Sequence, residues 1–116
     1  MLLLGPRPHA ALPSYAQHWT AGIIPFLDNA QIRAANPLKL REYLAAGRPV
    51  VSTAFPALAP YRAHVSVAAG ADDFARALEA AWRDDQGGLA RQAAVADESW
   101  AARAAEVAAL IDGLAA

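Results

Sequence analysis

Apolar residues along the chain gather in four short runs, Leu2 to Leu4, Ala21 to Phe26, Pro49 to Thr53 and Val65 to Ala68, each bounded by Gly, Pro or polar residues. Runs without strict alternation suit parallel strands covered on both faces. Between them the spacing turns helical, over Leu12 to Trp19 and Pro37 to Ala46. It does so again over Asp72 to Arg83, where Phe74, Leu78, Ala81 and Trp82 share a side. A short turn around Ala57 to Arg62 joins the third run to the fourth. The order strand, helix, strand, helix, strand, turn, strand, helix predicts an α/β fold with right-handed crossovers. The expected architecture is a Rossmann-like three-layer parallel sheet of about four strands with a helical C-terminal tail. After the DDQGG break at Asp84 to Gly88, residues 89–114 read as that tail. Ser99 is its internal N-cap, Trp100, Val107, Leu110 and Ile111 are its apolar positions, and Gly113 is its stop. An amphipathic tail of this kind must dock on something. Residues 1–116 are therefore expected to form a single, partial domain, because a doubly wound sheet normally has five or six strands and the first run here starts at the initiator methionine.

The densest local signals lie in NPLKLREYLAAGRPVVST, from Asn36 to Thr53. Asn36 is a strong N-cap residue, and Pro37 at the first helical position gives up no hydrogen bond the helix would have made. At the other end Gly47 supplies a left-handed C′ position, Arg48 follows near the negative end of the dipole, and Pro49 blocks continuation into the next strand. A helix that starts just after a strand of an open parallel sheet directs unpaired amides toward the ligand crevice. The amides around Leu38 and Lys39 suit a phosphate there. A lysine in the first turn, where acids are usual, agrees with a visiting anion. Glu42 lies about 9 Å along the axis from the cap, shortened by the backward lean of helix side chains. Its carboxylate is placed either to accept two ribose hydroxyls or to solvate a surface; the spacing leaves both open.

Composition removes whole classes. The chain has 116 residues, 56% of them hydrophobic and 18% charged, which supports a folded core. A net charge of −1 provides no basic footprint for nucleic acid. Without cysteine there is neither a disulfide framework nor a thiolate zinc site, and His9, His18 and His64 show no ligand spacing, so no metal is expected. The opening MLLLGPRP is too short for a signal sequence, and no window approaches the roughly 20 apolar residues of a membrane span. No Walker, G-x-S-x-G or G-x-G-x-x-G pattern is present. Asp28 and Asn29 either solvate a loop or contact a ligand or divalent ion, with solvation favoured, and Ser52 and Thr53 either meet a ligand or cap the next turn. Trp19, Trp82, Trp100, Tyr43 and Leu44 read as packing residues.

NPLKLREYLAAGRPVVST, with LPSYAQHWTAGIIPF before it and FPALAPY after it, closely resembles the carboxyl-terminal domain of nucleotide-sugar-dependent glycosyltransferases of the GT-B architecture, the glycosyl transferases group 1 family. The likeness extends more weakly over the whole chain, including LLGPRP and ESWAARAAEVAAL. It implies a domain that binds a nucleoside diphosphate sugar, a UDP-sugar or GDP-sugar, with no cofactor or metal. The implied acceptor is a cell-envelope polysaccharide or lipid-type molecule. By resemblance Glu42 matches the glutamate that holds the ribose hydroxyls, and Asn36, Pro37, Leu38 and Lys39 match the segment that meets the diphosphate. Gly5 and Arg7 fall in the loop beside the nucleobase. The companion glutamate position is Ala34, which departs from the family pattern, and the amino-terminal acceptor domain is missing. The resemblance thus implies either a donor-binding part of a transferase, or a non-catalytic nucleotide-sugar-binding or interaction module that needs a partner chain. The expected location is cytoplasmic, at most peripheral on the inner face of the membrane.

Overall fold

A computed structural model of the protein describes residues 2–83 and 86–115. Three parallel strands form its sheet in the order β1-β2-β3: β1 Gly22–Ile24, β2 Val50–Ser52 and β3 Ser66–Val67. Gly22 pairs with Val50, and Val51 pairs with Ser66. The helices are α1 Leu12–Ala16, α2 Ala30–Arg33, α3 Leu38–Ala45, α4 Ala71–Arg83, α5 Gly88–Ala93 and α6 Trp100–Ala115. Short 3-10 segments cover His9–Ala11 and Pro56–His64.

The central strand β2 is buried at every residue, as its unbroken apolar run requires. Its partner β1 alternates instead, with Ile23 half exposed between buried Gly22 and Ile24, so one face of β1 is covered and the other meets solvent. The core gathers Ile24, Leu40, Leu44, Val50, Phe55 and Leu58. Ser52, expected either to meet a ligand or to cap a turn, is fully buried, and its hydroxyl donates to the Ile24 and Thr53 carbonyls. Thr53 likewise donates to the Phe26 carbonyl at 2.7 Å. These two hydroxyls tie the carboxyl ends of β1 and β2 together.

Several expectations are corrected. The sheet has three strands among the described residues, not about four: Leu2 to Leu4 forms no strand and lies exposed. An apolar run supplies side chains for a strand but not the neighbouring backbone that its ladder needs. On α4, Ala81 faces the core, whereas Trp82, about 100° further round the helix, turns outward. Trp100 is also exposed, so two of the three tryptophans are not packing anchors. Trp19 is one, meeting the Tyr43 ring edge-on at 5.5 Å. Ser99 caps α6 as expected, accepting from the Ala102 amide at 3.1 Å, but Gly113 does not stop the helix, which runs to Ala115. A glycine interior to a helix costs about 1 kcal/mol without ending it unless the chain turns into the left-handed region. In the DDQGG break, Asp84 and Asp85 lie outside the described residues.

Candidate functional site

Helix α3 is the element on which the candidate chemistry stands. It buries Leu40 and Leu44 completely. At about 100° per residue, Glu42 points roughly 160° away from each of them. That outward direction does not leave Glu42 alone, because the turn His9–Ala11 and helix α1 lie across it. The His9 Nε2 atom is 4.0 Å from Glu42 Oε1. Between α1 and α3 opens a cavity of about 370 Å³ lined by His9, Leu12, Ala16, Trp19, Glu42 and Tyr43, among others. Its walls are mostly apolar and aromatic, with a carboxylate and an imidazole at one side, and its volume suits a small ligand.

The start of α3 differs from expectation. Asn36 does not cap it: Pro37 takes the N-cap place with extended backbone and no side-chain acceptor. The Asn36 side-chain Oδ1 instead accepts from Arg41 Nη1 at 2.7 Å. A guanidinium five residues on competes for the same oxygen and wins it with a charge-assisted bond. The end of α3 is as expected. Gly47 sits at φ +72 and its amide donates to the Leu44 carbonyl at 2.9 Å. Side chains of α5 complete that terminus, Gln92 donating to the Ala45 carbonyl and Arg91 to the Gly47 carbonyl. Arg48 donates to the Gln17 carbonyl, joining the strand entry to α1.

The residues picked out from sequence divide between two sides of α3. Glu42 lines the cavity with His9. Asn36 and Leu38 line a second one, about 440 Å³, with Arg41, Glu98, Trp100 and Arg103. Lys39 lies over the Phe26 ring, its Nζ 4.9 Å from the centroid, beyond the carboxyl end of β1. In the amino-terminal loop Gly5 takes the left-handed φ of +67, and the Arg7 guanidinium lies over Tyr15 at 5.9 Å. It is His9, just past that loop, that reaches Glu42. Nothing local in GPRPH marks that contact, which spans 33 positions.

Asp28 and Asn29 act locally. Asn29 caps α2, accepting from the Ile32 amide, and Asp28 pairs with Arg33 at 2.8 Å. The hydrogen bond and charge of Arg33 hold the Asp28 carboxyl below its ordinary value. Among the described residues no group of three or more His, Cys, Asp or Glu is placed to hold a metal.

A polar network that sequence reasoning missed joins α3 to the tail. Arg41 Nε donates to Glu98 Oε2 at 2.5 Å, the Tyr61 hydroxyl donates to Glu98 Oε1, and Arg103 lies 3.5 Å from the same carboxylate. Burial by itself would raise the Glu98 carboxyl. The hydrogen bonds from Tyr61 and Arg41, with the charges of Arg41 and Arg103, outweigh it and hold the group below its ordinary value. Burial and the bond to Glu98 push the Tyr61 phenol up. The available signal was Glu98 itself, directly before the N-cap of a long helix, where no local pairing occupies it.

Fold and site together define an α/β chain with a parallel sheet, consistent with a Rossmann-like arrangement, and a carboxylate-bearing helix following the edge strand. No known family profile and no solved structure matches the chain. It is similar to a Bacillus subtilis (strain 168) protein named "Putative teichuronic acid biosynthesis glycosyltransferase TuaH", with 42% identity over 52 residues. That segment is 45% of this chain and 13% of the relative, so the match spans a small part of the relative's length. It supports a glycosyltransferase-like relationship. No helix among the described residues is long and apolar enough to cross a membrane.

Proposed function

We propose that this chain is a nucleotide-sugar-binding part of a GT-B glycosyltransferase, with the cavity between α1 and α3 as its nucleoside side. The observation that carries the reading is Glu42, turned away from the core yet overlain by His9 and α1, in a chain with a partial match to a relative named as a glycosyltransferase. Glu42 is the acceptor for two ribose hydroxyls. Charged acceptors make hydrogen bonds of about 1.5–3 kcal/mol each, and two to a vicinal diol also fix its orientation. Pro37 leaves the first-turn amides of α3 without a side-chain cap. The Leu38 and Lys39 amides, with the Lys39 ammonium, receive the diphosphate of a UDP-sugar or GDP-sugar. Gly5 and Arg7 stand on the base side. The reaction served by the complete enzyme is transfer of the sugar to a cell-envelope polysaccharide or lipid-type acceptor in the cytoplasm or at the inner membrane face, without metal. An acceptor domain, or a partner chain that carries one, completes it.

A second reading, binding without turnover, is favoured for the isolated chain by the fate of its cations. Arg41 is engaged by Glu98 and Asn36, and Arg48 by Gln17. Lys39 is then the cation nearest the α3 start for a departing diphosphate, whereas transfer needs that charge stabilised in the transition state. Ala34, at the place of the companion glutamate, offers the sugar no polar group. Titration with UDP and GDP while recording the melting temperature tests both readings. A rise with one nucleotide that Glu42→Ala abolishes is expected; no rise with either, or a rise that Glu42→Ala leaves intact, overturns the site. Hydrolysis or transfer of a UDP-sugar or GDP-sugar by the isolated chain overturns the second reading.

A further inference from the structure

The far side of α3 gathers polar groups that the cavity beside Glu42 does not use. The cavity of about 440 Å³ there is lined by Asn36, Leu38, Arg41, Glu98, Trp100 and Arg103, a size that suits a small molecule. Four of these six side chains end in planar polar groups: one amide, one carboxylate and two guanidiniums. They are fixed before any ligand arrives. Glu98 accepts from Arg41 Nε at 2.5 Å and from the Tyr61 hydroxyl, and Arg103 lies 3.5 Å away. The Arg41 guanidinium also lies over the Tyr61 ring at 5.5 Å and donates to Asn36 Oδ1 at 2.7 Å. Among the described residues, three of its five N–H donors and the Asn36 Nδ2 pair carry no protein acceptor.

Trp100 supplies the apolar wall. Ser99 caps α6 by accepting from the Ala102 amide at 3.1 Å, which fixes the backbone at Trp100, yet the indole is 84% exposed. Chemistry narrows what such a wall receives. A phosphate would use the guanidiniums and leave the indole idle. An aliphatic chain would use the indole and strip water from the charged groups without replacing it. A pyranose ring satisfies both. Its C–H face lies on the electron-rich face of an indole, and its neighbouring hydroxyls, each a donor and an acceptor, are met in pairs by planar amides, carboxylates and guanidiniums. Leu38 borders the cavity as well, and its amide belongs to the start of α3, where the proposed reading puts the diphosphate. A sugar carried on a nucleotide and a sugar of a free glycan therefore both reach this place, and the pyranose ring is the chemistry they share.

We infer that the cavity between the starts of α3 and α6 is a saccharide subsite, in which a pyranose ring stacks on Trp100 and its hydroxyls are met by Asn36 and Arg41, with Glu98 holding Arg41 in place. Only the nucleotide-borne source rests on the proposed function. Nuclear magnetic resonance of the unaltered chain tests it, the Trp100 indole signal being identified by its loss in Trp100→Phe. The probes are glucose, N-acetylglucosamine, glucuronate and cellobiose as free saccharides, and UDP, UDP-glucose, GDP and GDP-mannose. Saturable shifts of the Trp100 indole and the Asn36 side-chain amide are expected with at least one sugar-bearing probe. A free saccharide that produces them identifies a glycan as the source; UDP-glucose or GDP-mannose acting where UDP or GDP alone does not identifies the donor. Trp100→Ala is expected to weaken that binding about tenfold and Trp100→Phe, which keeps a ring, about threefold, with the melting temperature unchanged in both. No shift with any probe, shifts as large with UDP or GDP alone as with their sugars, or affinity unchanged in Trp100→Ala overturns the subsite. Failure of UDP and GDP to bind anywhere, with free saccharides still moving Trp100, overturns the nucleoside cavity alone.

Discussion

Replacing Glu98 tests how the tail is held. Glu98→Ala removes the carboxylate that Arg41, Tyr61 and Arg103 share, in a place where the Glu98 side chain is 18% and the Arg41 side chain 23% exposed. Hydrogen bonds to a charged group contribute about 1.5–3 kcal/mol each in burial, and fully exposed pairs less than about 1 kcal/mol. Three donors at a mostly buried carboxylate that water still reaches should together contribute about 2 kcal/mol. For a chain of this length the unfolding entropy makes 1 kcal/mol worth about 4 °C, so the midpoint should fall by about 8 °C at neutral pH. The pH dependence gives an internal control. The folded Glu98 carboxyl is held below its unfolded value of about 4.5. Its stabilisation is therefore full above about pH 4.5 and is lost as pH falls through the folded value. Circular dichroism melts of the unaltered chain and Glu98→Gln should differ at pH 7 and converge in acid. A midpoint change under about 2 °C at pH 7, or a difference that persists at full protonation, would refute a network of this strength.

Other substitutions probe the frame of the site. Gly22→Ala brings a methyl within 2.7 Å of Tyr43 Cγ, and closer still to Cδ2, on a ring that also packs edge-on with Trp19. It should cost about 2 kcal/mol and weaken the near-ultraviolet dichroism of the pair. Gly47→Ala forces a side chain into the left-handed region, 3.3 Å from Gln92 Nε2. About 1–2 kcal/mol should be lost in urea titrations with an unchanged slope. Leu44→Ala empties a fully buried position and should cost about 2–5 kcal/mol, enough to leave a marginal domain partly unfolded at 37 °C.

Local chemistry made part of this structure readable in advance. Gly47 ends α3 because the left-handed turn, the Arg-Pro after it and the apolar Val50-Val51 all agree, and each acts within a few residues. Ser99 takes its cap for the same reason, whereas Asn29, read as loop, caps the short α2 that the apolar pattern did not announce. Asn36 shows where this fails. Its cap preference is real, but Arg41 offers a stronger partner, and Arg41 is turned that way by Glu98, 57 positions distant. His9 beside Glu42 and Arg91 on Gly47 are likewise products of packing. Leu2 to Leu4 illustrates the opposite error, since composition suggested a strand whose pairing depends on backbone that composition does not describe.

The same division bears on chemistry. Several polar groups around α3 are spent on structure: Asn36 on Arg41, Arg41 on Glu98, Arg48 on Gln17. Glu42 is different, half exposed at 49%, with His9 at 4.0 Å, marginal ion-pair distance, as its neighbour. A surface pair of that kind is worth at most about 1 kcal/mol, so fold stability does not account for a carboxylate under an aromatic-walled cavity. Glu42→Gln should therefore leave the melting temperature of the free chain within about 2 °C while removing the nucleotide-induced rise. Loss of stability in the free variant would instead make Glu42 a structural residue, and the cavity between α1 and α3 would lose its claim to a ligand.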